Sequence, residues 1–131
     1  MKYILMMNAP RSGFEIYRAW PQEAAQAHFA VLNRINKELC ESGEFVATSG
    51  LAWPAQAKVV RAGKDGEPVT DGVFPESKEF LAGYWMVDVE SPERAYQIAA
   101  RISAAPGPGG APLNMPIEVR QVMSGPPEEF S

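Results

Sequence analysis

The sequence predicts an α+β domain of the ferredoxin-like βαββαβ type, with a β-hairpin inserted between its second and third core strands. Two segments, opening at Pro21 and at Ser91, carry apolar residues at three- and four-residue spacing, the mark of helices with one buried face. Four short apolar runs alternate with them in the order strand, helix, strand, strand, helix, strand. Between the second and third runs, Gly63-Lys64-Asp65-Gly66-Glu67 joins two short extended segments, and an Asp-Gly in that setting signals a hairpin turn.

The totals agree with one small domain. With 131 residues, 46% hydrophobic and 21% charged, the chain is long enough to bury a core without disulfide or metal staples. We assign that domain to residues 1–123 and a C-terminal tail to 124–131. The net charge of −4 is spread along the chain, with no basic stripe interleaved with aromatics, so nucleic acid is not an expected partner. No apolar run approaches the roughly 20 residues of a membrane span, and the opening Met1-Lys2-Tyr3-Ile4-Leu5-Met6-Met7 is too short for a signal segment. The lone Cys40 makes no internal disulfide and fits a reducing compartment, so a cytoplasmic protein is expected.

Residues 2–8 read as a central strand, ended by the turn residues of Ala9-Pro10-Arg11-Ser12-Gly13. The segment to Trp20 reads as a connection whose aromatics Phe14, Tyr17 and Trp20 cover the edge of the core. Pro21 suits a first helical position, and Ala25, Phe29, Leu32, Ile35, Asn36 and Leu39 form one apolar face, with Gly43 as the left-handed stop. His28 and Asn36 lie on or beside that face. Residues 45–53 read as the second strand, and 57–61 with 68–70 as the hairpin. Residues 81–89 are apolar nearly throughout and read as a strand covered on both sides. Ser91-Pro92-Glu93 opens the second helix with a cap, a proline and an acid, and Ala95, Ile98, Ala99 and Ile102 are its buried stripe. The Pro- and Gly-rich run 106–112 reads as a flexible loop, and 117–122 as the last strand. Two helices then cover one face of a four-stranded sheet. The other face needs a cover, and a second copy is the economical one, so a homodimer is expected.

These blocks resemble the YCII-related superfamily and, within it, the group named for an Asp-Gly-Pro-Phe signature. The resemblance is carried by Met1-Lys2-Tyr3-Ile4-Leu5, by Asn36-Lys37-Glu38-Leu39 with Gly43, and by Thr70-Asp71-Gly72-Val73-Phe74-Pro75-Glu76-Ser77-Lys78-Glu79. Gly83-Tyr84-Trp85, the Ser91 helix and Ile117-Glu118-Val119-Arg120-Gln121-Val122 complete it. Val73 stands where the signature has proline. The resemblance implies a dimeric α/β-barrel, formed when two such sheets pack face to face. In the wider superfamily it also implies a pocket His–Asp dyad, with one branch acting as a dehydrochlorinase on aromatic compounds. Members of the narrower group are often encoded beside extracytoplasmic-function sigma factors, which implies a ligand-sensing or regulatory contact.

The candidate site residues carry two readings each. Asp71-Gly72 is a turn, or Asp71 is a pocket carboxylate that orients a base. His28, the one histidine, is a packed or rim residue, or the proton shuttle that the dyad resemblance pairs with Asp71. Glu76 and Lys78 diverge on a helical turn as a solvated face, or share one side of an extended chain and grip a polar substrate group. Asn36 is a buried structural amide or a pocket polar group. Arg120 is an anion-binding candidate, and Tyr84 and Trp85 point to opposite sides of their strand, one toward the helices and one toward the dimer side. No metal-ligand spacing, phosphate-cradling glycine loop or serine elbow is present, so no metal or cofactor is expected. The function that follows is cofactor-independent proton transfer, isomerisation or elimination, on a small organic ligand. The alternative is a non-catalytic binding or regulatory module, for which a sigma factor is one partner.

Overall fold

A computed structural model describes residues 1–72, 78–126 and 129. Its strands and helices are β1 (Lys2–Pro10), α1 (Arg11–Arg18), α2 (Gln22–Ser42), β2 (Phe45–Gly50), β3 (Lys58–Ala62), β4 (Pro68–Gly72), β5 (Glu79–Asp88), α3 (Pro92–Ser103) and β6 (Ile117–Gln121). β2, β5, β1 and β6 form, in that order, a four-stranded antiparallel sheet, and β3 and β4 form a separate two-stranded hairpin. This mixed α+β arrangement is compatible with the ferredoxin-like pattern, with the hairpin inserted as expected.

Alternation along the strands decides the core. Tyr3 and Leu5 of β1 and Trp85 and Val87 of β5 are buried against Leu32, Ile35 and Leu39 of α2 and against the Ala95–Ile98–Ala99–Ile102 stripe of α3. Their strand neighbours Ile4, Met6, Tyr84 and Met86 are only half-buried and face the other way. Trp85 therefore faces the helices and Tyr84 the open side, which answers the question their adjacency posed.

Both long helices end by recognisable chemistry. At the C-cap of α2, Gly43 holds φ at +80°, where a side chain would be strained, and its N–H bonds Cys40. At α3, Ser91 Oγ accepts the Arg94 N–H at 3.2 Å, and Pro92 opens the helix. The Arg94 side chain then donates twice to Glu44, Nε to Oε2 and Nη2 to Oε1, each at 2.8 Å, tying α3 to the corner between α2 and β2. That hydrogen bonding holds the Glu44 carboxyl below its ordinary range.

Several local expectations are corrected. The connection before Trp20 contains a helix, α1, despite Ser12 and Gly13: Tyr17 stacks on Trp20 at 4.6 Å and meets His28 edge-on, so tertiary packing outweighs poor propensity. β1 runs on to Pro10, because Ala9 and Pro10 pair with Phe80 and Glu79 beyond an irregularity after Met7. Pro21 is the cap rather than the first helical residue: its ψ is 145° and its carbonyl accepts the Ala25 N–H. Phe29 is 56% exposed, and His28 takes the place in the buried stripe that Phe29 was expected to hold. The second strand stops at Gly50, and 54–56 form a short 3₁₀ turn. Asp71 and Gly72 are not a turn, since β4 continues through them opposite Val59 and Lys58. Nor is the 106–112 run a free loop: Pro106 and Pro112 form a β-bridge, and the Leu113 N–H bonds Ala105.

A candidate small-molecule pocket

A cavity of about 480 Å³ opens between α1, α2 and the helix-facing side of the sheet near β2. α2 brings His28, Leu32 and Asn36 to it, residues at helical spacing on one face. The sheet contributes Met7, Thr48 and Trp85. The close strand approach at Gly83 shapes its floor, since a Cβ there would lie 2.9 Å from the Ser49 carbonyl oxygen. Tyr17 and Trp20 close one side and Leu51 and Trp53 another. Arg18 lies over the Trp53 ring at 4.6 Å, a cation–π contact that joins these two sides.

His28 is the chemically notable wall. It is 3% exposed and sits edge-on to Trp20 at 5.4 Å and to Phe29 at 5.2 Å. Its Nδ1 lies 3.1 Å from the Pro106 carbonyl oxygen. A carbonyl only accepts, so Nδ1 carries the proton and Nε2 keeps its lone pair. Burial pushes the imidazole below its ordinary value, partly opposed by the Pro106 bond, so the neutral ring is favoured at pH 7. Nε2 bonds no described residue and is not fully enclosed, and the His28 ring lines the cavity. Burial also raises the Tyr17 hydroxyl above its usual range.

Asn36 accepts the Trp85 indole N–H at 2.8 Å through Oδ1. An indole nitrogen is a donor only, which fixes the amide so that its NH₂ is left for the cavity. The Thr48 hydroxyl proton is committed to the Tyr84 carbonyl at 2.9 Å, so toward the cavity Thr48 is an acceptor only.

The remaining sequence candidates lie elsewhere. Asp71 is on the exposed hairpin, where Arg61 Nη1 meets its Oδ2 at 3.3 Å with the carboxylate side chain 61% exposed. Within one chain it does not bond His28, whose orienting position is held by Pro106 instead. Lys78 is exposed immediately before β5, and Glu76 lies outside the described residues. Tyr84 and Arg120 pair with Met6 and Ile4 and so lie on the open face of the sheet, opposite the cavity. Sequence reasoning thus named two lining residues, His28 and Asn36. It noted Tyr17, Trp20 and Trp85 only as cover or strand aromatics, and it missed Trp53, Thr48 and the Pro106 carbonyl. The aromatic spacing between 14 and 20 was the one signal available for that wall. Among the described residues no group of three or more His, Cys, Asp or Glu is placed to hold a metal ion, and no helix is long and apolar enough to cross a membrane.

The model of the YCII-related domain matches residues 1–110. The chain belongs to the YCII-related family. A curated relative, an uncharacterized protein of Rhizobium meliloti (strain 1021), is 28% identical over 87 residues, covering 66% of this chain and 70% of its own. The matched range of the YCII-related domain includes both cavity helices and the Pro106 carbonyl.

Proposed function

We propose that this YCII-related protein binds a small organic molecule in the cavity, with His28 as the proton acceptor of a cofactor-independent isomerisation or elimination. The observation that carries this reading is the His28 geometry: a neutral imidazole fixed through Nδ1–H to a backbone carbonyl, its Nε2 bonding no described residue and its ring lining a mostly apolar pocket. Such a ring accepts a proton at Nε2 without changing tautomer at Nδ1, and the Pro106 carbonyl dipole steadies the imidazolium that forms. In this role Pro106 replaces the carboxylate that Asp71 was expected to supply.

Proton abstraction leaves a signature that needs no knowledge of the natural substrate. A panel of small ketones, lactones and hydroxyaromatics incubated with the protein in D₂O is expected to contain members whose acidic C–H exchanges faster than in buffer. His28→Ala is expected to abolish that excess, read by proton NMR. Saturable binding with no exchange in any bound compound would sink the catalytic reading. It would leave the second one, a ligand-binding or regulatory module with a sigma factor among its candidate partners. That second reading is favoured by the absence of any carboxylate or ammonium among the described lining residues.

The open face of the sheet supports a homodimer as the working assembly. Ile4, Met6, Tyr84 and Met86 form a half-buried apolar centre there. Glu118 and Arg120 stand beside it on β6, opposite Met6 and Ile4. A two-fold axis would let Glu118 of each copy meet Arg120 of the other, and two sheets packed this way would make the barrel.

A further inference from the structure

We infer that the cavity is built for an uncharged, planar molecule that carries a carbonyl acceptor at one end and a hydroxyl or N–H donor at the other. This rests on the reading of the cavity as a ligand site and assigns the class of ligand.

The polar groups of the wall set the pattern. Trp85 takes one lone pair of Asn36 Oδ1 and fixes the amide, so the donors this side chain offers the cavity are those of its NH₂, which match an acceptor on the ligand. Pro106 occupies His28 Nδ1, so His28 can only accept there, and the ligand atom opposite it must donate. Thr48 gives its proton to the Tyr84 carbonyl and can only accept from a ligand. The Asn36 donor and the His28 acceptor, eight residues apart on α2, are separated by about 12 Å of helix axis, with Asn33 and Tyr17 as the further polar side chains of the lining. Between them the walls are flat or aliphatic: Trp20, Trp53 and Leu32. Apart from His28, every described lining residue is apolar, aromatic or uncharged and polar. A carboxylate entering this space would leave its hydration behind and find no cation among those residues, whereas an amide, ketone or lactone surrenders far less. Selection against anions thus follows from the described lining: Arg120 is on the opposite face of the sheet, Lys78 is exposed, and the Arg18 guanidinium lies over the Trp53 ring without being a lining residue.

The test uses matched pairs that differ only in charge: 4-hydroxybenzamide with 4-hydroxybenzoate, and 6-hydroxy-2-naphthamide with 6-hydroxy-2-naphthoate, titrated calorimetrically into the full chain. At least one amide is expected to bind at least tenfold more tightly than its carboxylate. Asn36→Asp keeps an oxygen for Trp85 but loses the N–H donors, and is expected to weaken the amide at least tenfold. Asn36→Leu, which adds no charge, is expected to do the same. Equal or tighter binding of the carboxylates would overturn the inference, as would unchanged amide affinity in both variants. Either result leaves the cavity standing as a ligand site. Ala25→Trp, which fills the cavity, is expected to abolish binding of every probe. Undiminished binding in that variant, or no binding of any probe to the unaltered chain, would instead remove the cavity reading itself and this inference with it.

Discussion

Burial of His28 ties the stability of the fold to pH. Burial lowers its pKa in the folded chain from an ordinary value of 6.5, so the unfolded chain binds a proton that the folded chain resists. The unfolding free energy therefore carries its full His28 contribution above about pH 6.5 and loses it as pH falls through the lowered folded value. Glu44 and Asp88 are also lowered, but from 4.5 and 3.8, so their losses fall at more acid pH. His28→Gln is expected to flatten the stability profile just below the ordinary imidazole value of 6.5 while leaving the carboxylate limb at more acid pH in place. Urea midpoints at several pH values measure this, and a slope unchanged by the substitution would rule out His28 as its source. The place of His28 in the cavity wall was legible because it is the one imidazole and lies beside an apolar helical stripe. Its partner was not. The Pro106 carbonyl is 78 residues away along the chain, and a backbone acceptor leaves no mark in residue identity.

At the scale of elements, local chemistry was readable wherever a side chain acts on its own neighbours. Ser91 before Pro92 and Glu93 announced the start of α3, and its hydroxyl accepts the Arg94 N–H. Ser91→Ala is expected to cost about 1 kcal/mol, since this cap satisfies an otherwise unpaired helical donor. In a domain of this length that loss corresponds to a fall in Tm of roughly 3–5 °C. A calorimetric scan showing no fall would mean that the Arg94–Glu44 pair or water compensates fully. α1 was illegible for the opposite reason. Its sequence contains Ser12 and Gly13, and what holds it beyond the local Tyr17–Trp20 stack is contact with other elements, Tyr17 with His28 and with Met115 Sδ. The hairpin lies between these cases: the Asp65-Gly66 turn marked it, but its length was underestimated because Asp71-Gly72 is also a turn-forming pair. Pairing with Lys58 and Val59 decided for strand.

For the whole molecule, the two faces of the sheet have separate tasks. One carries the core and, at its β2 end, the cavity. The other carries the half-buried centre of Ile4, Met6, Tyr84 and Met86, which we propose a second copy covers. Met86→Lys places a charge in that centre without touching the core and is expected to shift the protein from dimer to monomer in light scattering at micromolar concentration. An unaltered chain that is already monomeric there would overturn the dimer, and a variant that stays dimeric would move the interface elsewhere. The order β2-β5-β1-β6 also separates the sequence candidates: His28 and Asn36 share the cavity, while Tyr84 and Arg120 lie behind it.

By itself the sequence determined the order of the core strands and the two long helices, the inserted hairpin, the Gly43 and Ser91 caps and the buried stripe of α3. Each of these is set by periodicity or by chemistry within a few residues. It also carried the YCII-related kinship, whose domain model matches residues 1–110. Only the tertiary structure decided which face each strand residue took, that α1 folds, and that His28 answers to Pro106 rather than to Asp71. Those outcomes depend on contacts between residues far apart in the chain, where alternation offers two equivalent faces and packing selects one.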